Sequence, residues 1–463
     1  MMGTKGYLIH NAKIFTEKSA FRGSLRIEGE LIAEIFKGEI PDYVLKNNVV
    51  IDASELWLMP GIIDTHVHFR QPGMTQKADI VSETKAAAAG GVTSFFDMPN
   101  TIPQTTNRAA WEEKCRLASE QSLINYACYI GLNADEKETV LHADTSKIPG
   151  VKLFLGSSTG NMLTNDKPLL EWLFAESPLL IMTHCEDNAI IQRNLTALQD
   201  QFFAHSFEGY GGGSEADIPI RNHPLIRSAE ACYKSTAETI ELALRHKTRL
   251  HVAHITTAIE TALFDNTKSL AEKQITAEGC PHYFWFDDSD YDRLGTRIKC
   301  NPAIKSASDR KALIQALITN RLDTVASDHA PHLLQEKEGG CLKAASGMPL
   351  IQYALPAMLQ LSKNGVFTVE KVVEKMCHAP ATLFKINKRG YIRKGYFADL
   401  ILVNPNAPYV VTSDAVMSKC GWSPFEGETF NARITHTFVN GNLVYENGKI
   451  NTDSKGSALQ FNA

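Results

Sequence analysis

The sequence predicts an α/β protein: a (β/α)8 TIM-type barrel with a small β domain that is formed from both chain ends. From residue 58 onward, eight short apolar runs each end in polar or glycine-rich sequence. They are MPGIIDTHVHF, VTSFFDMPN, INYACYIGL, GVKLFLGSS, PLLIMTHCED, RLHVAHIT, QITAEGCPHY and DTVASDHAPH. Stretches of helical composition, such as ADIVSETKAAAAGG and ASDRKALIQALITN, separate most of them. Strand and helix that alternate eight times over about 300 residues are typical of this barrel.

The two chain ends have a different, β-like pattern. Residues 1–57 contain short β-prone runs separated by Gly, Lys, Asn and Asp, and the last part of the chain returns to β-like alternation. The dipeptide Asn440-Gly441 predicts a hairpin turn. We therefore expect one split β domain, residues 1–57 with 386–463, and a barrel domain over residues 58–385.

Composition excludes several classes of protein. A chain of 463 residues that is 44% hydrophobic can bury a large core, and a net charge of -5 argues against a nucleic-acid or anionic-membrane binder. Nine cysteines without a CxxC pair indicate reduced thiols. The N-terminus lacks the apolar core of a signal peptide, and no apolar run is long enough for a membrane span. We expect a cytoplasmic protein.

The stretch PGIIDTHVHFRQPG, residues 60–73, carries the strongest chemical signal. His66, His68 and Arg70 share one parity, so in a strand the two histidines project from the same face. This pattern predicts a pair of metal ligands followed at once by a cation. A lone HxH pair also recurs by chance, and the prediction depends on what the other strands supply.

Four further polar residues lie at the ends of other predicted barrel strands: Lys152, His184, His254 and Asp328. Nitrogen and oxygen ligands without thiolate suit a catalytic zinc site. For Lys152 two readings remain open, an ordinary ion-paired lysine or a carbamate formed with carbon dioxide that bridges two metals. His254 is preferred to His251 because it lies nearer the C-terminal end of its strand. The cysteines at 185 and 280 fit a buried core.

The motifs HVHFRQPG, DMPNT, GVKLFLGSSTGNM, THCED, AHIT, KCNPAIKS and SDHAPH, in this order, resemble the dihydroorotases of the amidohydrolase superfamily, the class I type in particular. The resemblance covers the barrel and the split β domain. It implies two zinc ions per subunit, bridged by a carboxylated lysine or by an aspartate, depending on the subgroup. The implied ligands are His66, His68 and Asp328 for the first metal, His184 and His254 for the second, and Lys152 as the bridge.

The resemblance implies the reversible ring closure of N-carbamoyl-L-aspartate to L-dihydroorotate, a step of pyrimidine synthesis. Asp328 would act first as general base and then as general acid. A fork of donors on arginine suits the carboxylate of this substrate. The implied substrate-binding residues are Arg70, Asn100, Asn301, His332 and, in the loop after Lys152, Thr159.

Two other classes of function stay open at this point. Hydantoinases, dihydropyrimidinases and allantoinases share the barrel and the metals, and an inactive dihydroorotase-like partner subunit would have lost ligands. Two long loops, residues 201–222 and 333–349, follow strands of the site, and their position favours substrate enclosure. We expect a small-molecule substrate, no nucleic acid or membrane partner, and a homo-oligomer, possibly a dimer.

Overall fold

The computed structural model describes residues 6–156, 162, 164, 166–204 and 218–462. The chain begins with five strands and one short helix. Their bounds are β1 (Tyr7–Phe15), β2 (Ala20–Glu28), β3 (Leu31–Phe36), α1 (Asp42–Asn47), β4 (Val49–Asp52) and β5 (Trp57–Pro60). β1 pairs antiparallel with β2 and parallel with β4 and β5.

The barrel strands follow, and the third of the eight is interrupted at Tyr129. They are β6 (Ile62–Val67), β7 (Val92–Asp97), β8 (Asn125–Cys128) with β9 (Ile130–Gly131), β10 (Val151–Phe154), β11 (Ile181–His184), β12 (Leu250–Val252), β13 (Ile275–Gly279) and β14 (Thr324–Val325). Neighbours pair in parallel and in chain order. The parallel bridge between Val67 and His329 joins the last strand to the first and closes the barrel. The predicted fold class is confirmed.

Helices lie between the barrel strands along the chain and after the last of them. They are α2 (Ile80–Ala89), α3 (Arg108–Gln121), α4 (Lys137–Leu141), α5 (Lys167–Glu176), α6 (Asn188–Ala204), α7 (His223–Ile226), α8 (Ala229–His246), α9 (Ala258–Thr261), α10 (Pro281–Trp285), α11 (Tyr291–Leu294), α12 (Ala307–Ile318), α13 (Gly340–Lys343), α14 (Ala354–Lys363), α15 (Val369–Val373) and α16 (Ala379–Leu383). Among the helices of the described residues, none is both long enough and apolar enough to cross a membrane.

Local sequence explains where the predicted helices begin and end. The Asp79 side chain accepts a hydrogen bond from Ser82 N and caps α2, and Asn107 caps α3 in the same way. Gly91, the second residue after α2, has φ 80°, which suits glycine just beyond the end of a helix. Helix α6 extends to Ala204, so the first residues of the predicted loop 201–222 are helical, and residues 205–217 lie outside the described part of the chain.

The last six strands of the described chain divide into two groups: the first and the last three join the N-terminal sheet, and the second and third pair with each other in a separate antiparallel sheet. They are β15 (Leu400–Asn404), β16 (Tyr409–Val410), β17 (Thr429–Phe430), β18 (Arg433–Val439), β19 (Asn442–Glu446) and β20 (Lys449–Ile450). One nine-stranded sheet has the order β20-β19-β18-β15-β5-β1-β2-β3, with β4 beside β1. Asn440 and Gly441 form the two-residue turn between β18 and β19, with φ 48° and 74°. The β domain from both chain ends is thereby confirmed; its exact boundaries stay a prediction.

A buried polar network joins the sheet of the two chain ends to the barrel. Arg389 forms a buried ion pair with Asp399, and Asp399 also accepts hydrogen bonds from Asn125 Nδ2 at 3.1 Å and from Asn440 N at 2.8 Å. Asn125 belongs to barrel strand β8. Because every member of this network has a partner, the two parts are held in a defined relation and the barrel strands keep their register.

Candidate active site

The C-terminal ends of the barrel strands surround a cavity of about 380 Å3. Most of the residues that the sequence singled out contribute to its wall. These are His66, His68, Arg70, Asn100, His184, His254, Asn301, Asp328 and His332. Lys152 lies on β10 with its side chain fully buried, and Thr159 lies outside the described residues. Barrel closure therefore brings together side chains that are far apart in the sequence.

The first cluster consists of His66, His68 and Asp328. Asp328 Oδ1 lies 3.2 Å from His66 Nε2 and 3.3 Å from His68 Nε2. The other ring nitrogen of each histidine is already committed, since His66 Nδ1 donates to Glu278 Oε1 at 2.8 Å and His68 Nδ1 donates to Asn100 Oδ1 at 2.8 Å. In neutral imidazoles both Nε2 lone pairs then point at a carboxylate oxygen. This arrangement fits a cation that lies between these atoms.

The second cluster joins β11 to the end of β12. His184 Nδ1 lies 3.0 Å from His254 Nε2, and His184 Nε2 donates to Glu186 Oε2 at 2.8 Å. The lone pair of His184 Nδ1 is therefore directed at His254. Possible ligand atoms of His66, His254 and Asp328 all lie within 4.8 Å of one another. The donor set of imidazole nitrogens and a carboxylate fits a divalent metal ion such as zinc.

Burial keeps three of the candidate histidine ligands in the protonation state that a metal ion requires. It lowers the pKa of His68 to about 3 and the pKa of His184 and His254 below the usual histidine value, so the rings are neutral. Neutral imidazole and ionised carboxylate are the forms that bind a metal ion.

Lys152 is the unusual member of the group. Its side chain is fully buried, and Nζ has no hydrogen-bond partner within the described residues. Nζ lies 5.2 Å from the centre of the Phe154 ring, and burial lowers the pKa of Lys152 to about 8. A buried amine without a partner is costly, and it needs an explanation such as a modification or an ion.

Arg70 and His332 form the polar wall beside the first cluster. Arg70 Nε donates to Pro331 O at 3.1 Å, and Arg70 Nη2 lies 3.1 Å from His332 Nε2. Since His332 Nε2 also lies 3.2 Å from the Ser346 carbonyl, we assign the proton to Nε2, and Nδ1 accepts from Lys77 Nζ at 3.1 Å. Arg70 Nη2 then faces an N–H group and keeps a donor for a bound anion.

Three residues of the site have left-handed backbone conformations although they are not glycine. Arg70, His254 and Asp328 have φ angles of 65°, 37° and 51°. Such conformations cost free energy and persist where the surrounding structure enforces them, which is frequent at functional sites. Each of these residues lies two or three positions after the end of a barrel strand, and its side chain lines the cavity.

Sequence reasoning missed two buried carboxylates that hydrogen-bond to candidate ligands. Glu278, on β13, accepts from His66, and its partner lies 212 positions away. Glu186 is buried, accepts from His184 Nε2 and forms an ion pair with the half-buried Arg227. For Glu278 the available signal was a carboxylate within the apolar run QITAEG; for Glu186 it was a charge two residues after a candidate ligand.

Fold and site together define a class of protein: a (β/α)8 barrel with a histidine-rich site at the carboxyl ends of its strands. A family model described as "Amidohydrolase family" matches residues 57–444. The chain belongs to this family, and it is therefore a hydrolase of a group whose members generally bind metal ions.

Individual relatives agree with the family assignment. The chain is 30% identical over 429 residues to a dihydroorotase from Methanosphaera stadtmanae, with 92% of this chain and 93% of the relative covered. It is 28% identical over 456 residues to an allantoinase from Escherichia coli, with 95% of each covered. An L-hydantoinase from Arthrobacter aurescens has a similar fold, with a TM-score of 0.86, 24% identity and coverage of 97% of this chain and 98% of that one.

Proposed function

We propose that the protein is a zinc-dependent dihydroorotase, which interconverts N-carbamoyl-L-aspartate and L-dihydroorotate in pyrimidine synthesis. One observation carries the choice of substrate. Arg70, Asn100 and His332 lie on the same cavity as the cluster of candidate metal ligands. Dihydroorotate has a carboxylate that simple hydantoins lack, and the guanidinium of Arg70 offers this group a planar pair of donors. The similarity to a dihydroorotase at 30% identity supports the same choice.

The candidate ligands suggest a site for two zinc ions. In this proposal His66, His68 and Asp328 hold the first, and His184 and His254 hold the second. Neutral Lys152 Nζ would add to carbon dioxide and lose one proton, and the resulting carbamate would complete the set of residues that hold the two ions. When bound, the two ions activate a water and polarise the amide carbonyl of the substrate.

The residues of the chain then have separate tasks. Arg70, Asn100 and His332 bind the substrate carboxylate, and Asn301 contacts the ring amide. Thr159, in the loop after Lys152 and outside the described residues, is expected to touch the substrate. In the hydrolytic direction one water adds to the ring carbonyl carbon and the C–N bond breaks. Asp328 accepts the proton of that water and returns it to the leaving nitrogen, so it acts as general base and then as general acid. Ring closure uses the same groups in reverse.

A second candidate function is that of another cyclic amidase. The similarity to an allantoinase and the fold shared with an L-hydantoinase favour it. A panel of L-dihydroorotate, hydantoin, dihydrouracil and allantoin separates the two. Hydrolysis of dihydroorotate with the highest kcat/KM supports the proposal, and faster turnover of hydantoin or allantoin contradicts it. An inactive partner subunit would bind no metal and show no turnover after zinc addition.

Metal analysis tests the proposed centre directly. We expect about two zinc ions per chain in the wild-type protein and the loss of both metal and dihydroorotate hydrolysis in Lys152→Ala. Lys147→Ala, at an exposed lysine before the same strand, is the control and keeps both. A Lys152→Ala variant with two metals and most of its activity would remove Lys152 from the centre.

Cytoplasmic location and homo-oligomerisation stay predictions. A small molecule is the expected partner of a cavity of about 380 Å3. Light scattering on the purified chain tests the expected dimer, and fractionation of the source cells tests the location.

A further inference from the structure

One wall of the cavity is the segment Ala345–Gly347, and its carbonyl groups alternate in direction. The Ser346 carbonyl accepts from His332 Nε2 at 3.2 Å, on the side of the cavity. The Ala345 and Gly347 carbonyls accept from Lys337 Nζ at 2.7 and 2.8 Å. This alternation is that of an extended chain. The wall therefore lies between His332 and the ammonium group of Lys337.

Lys337 is buried, and its ammonium group donates hydrogen bonds to backbone carbonyl oxygens. Besides the two wall carbonyls, Nζ donates to Lys299 O at 2.8 Å, and within the described residues it forms no ion pair with a carboxylate. Burial lowers the pKa of Lys337 to about 7. A buried ammonium is costly unless it is well hydrogen-bonded. Its position is explained if it holds these carbonyls in place.

Further contacts link Lys337 to His332 on the far side of the wall. Lys337 Nζ lies 5.9 Å from the centre of the Trp422 ring, and Trp422 Nε1 donates to the His332 carbonyl at 2.8 Å. The backbone N–H of Gly347 donates to Lys299 O at 2.9 Å, the carbonyl that also receives Lys337. The wall, Lys337 and the backbone of His332 thus form one connected network.

We propose that Lys337 is a positioning residue of the substrate site, and that its ammonium group holds the wall Ala345–Gly347 against His332 and so determines how tightly the substrate binds. The substrate's identity rests on the proposed function, whereas the role in positioning does not. Lys337 touches none of the candidate ligands of the metal centre. Loss of its ammonium is expected to raise KM far more than it lowers kcat.

Steady-state kinetics with L-dihydroorotate test the proposal. Lys337→Met keeps the length and the apolar part of the side chain but removes all three donated hydrogen bonds. We expect KM to rise about 10-fold, kcat to change less than about 3-fold, and the metal content to stay as in the wild type. Lys337→Gln retains an amide donor on a shorter side chain and is expected to have an intermediate KM. Lys343→Met, at an exposed lysine of the same loop, leaves KM unchanged.

Hydrogen exchange provides a second test, which does not depend on the identity of the substrate. In Lys337→Met, peptides that contain residues 343–348 are expected to exchange about 10-fold faster, whereas peptides from β6 and β14 keep wild-type rates. The exchange experiment tests the role of Lys337 even if the wild-type protein does not turn over dihydroorotate. Such a lack of turnover would reject only the proposed function. Unchanged exchange of the wall overturns the proposal. So does a fall in kcat with unchanged KM or a loss of metal.

Discussion

Glu278 Oε1 lies 2.8 Å from His66 Nδ1 and accepts, at 3.3 Å, the backbone N–H of His254. A single oxygen on β13 therefore contacts two candidate metal ligands on two other strands. Because His66 belongs to the first cluster and His254 to the second, this buried carboxylate connects the two clusters of the site. The contact also fixes the tautomer of His66 and leaves Nε2 free to bind a metal.

Replacing this carboxylate is expected to weaken the metal centre without disrupting the fold. Glu278→Gln keeps the shape of the side chain but removes the charge that makes His66 a better ligand. We expect metal affinity to fall about 10- to 100-fold, as measured by competition with a chelator. The control is Glu260→Gln, at a buried glutamate that accepts from Thr236 and Thr257. Equal affinity in both variants would mean that Glu278 does not orient the ligand.

Arg70 is expected to decide between substrates with and without a carboxylate. In Arg70→Lys the charge remains, but the planar pair of donors and the Nε contact with Pro331 are lost. We expect kcat/KM for L-dihydroorotate to fall about 100-fold and that for any hydantoin turnover to change less than about 3-fold. Kinetics of both substrates on wild type and variant provide the measurement. An equal fall in kcat/KM for both substrates would mean that Arg70 supports the structure of the site and does not recognise the carboxylate.

How far the sequence could predict this site depends on the distance between interacting residues. Strand ends and the pair His66 and His68 could be predicted because strand periodicity is local. Glu278 could not be assigned a role, because its partner in β6 becomes a neighbour only when the barrel closes. Likewise, the wall of residues 345–347 lies in a loop whose backbone directions no periodicity encodes. The sequence therefore predicted that loop 333–349 lies beside the site, but not the directions of its carbonyl groups.

Gly347 is expected to be required for the shape of the substrate cavity. Its φ is 138°, and a Cβ atom there would lie 2.7 Å from the Ala330 carbonyl oxygen and 3.1 Å from His332 Cδ2. Gly347→Ala should therefore displace the wall and lower kcat/KM by about 10-fold or more.

Gly365→Ala is the matched control for the backbone effect alone. Gly365 also has a positive φ, 80°, but a Cβ atom there would meet nothing within 4 Å. This control should lose about 1 kcal/mol of stability and keep its kinetic constants. Equal kinetic losses in the two variants would show that strain, not contact with His332, is responsible.

His223 is expected to make the protein sensitive to acid. It is buried, donates from Nε2 to Cys300 O at 2.9 Å, and burial lowers its pKa to about 3. In the unfolded chain the pKa of histidine is about 6.5, so between these values the unfolded state binds one more proton than the native state. The free energy of unfolding that this residue contributes is complete above pH 6.5 and is lost progressively as the pH falls towards 3.

At pH 5 this loss amounts to about 2 kcal/mol. His223→Gln preserves a donor for the Cys300 carbonyl but does not titrate. The variant should therefore lose about 2 kcal/mol less free energy of unfolding than the wild type between pH 7.5 and pH 5. Urea unfolding of both proteins at the two pH values measures the difference. Parallel losses in the two proteins would show that His223 takes up no additional proton on unfolding, and that other buried histidines cause the acid sensitivity.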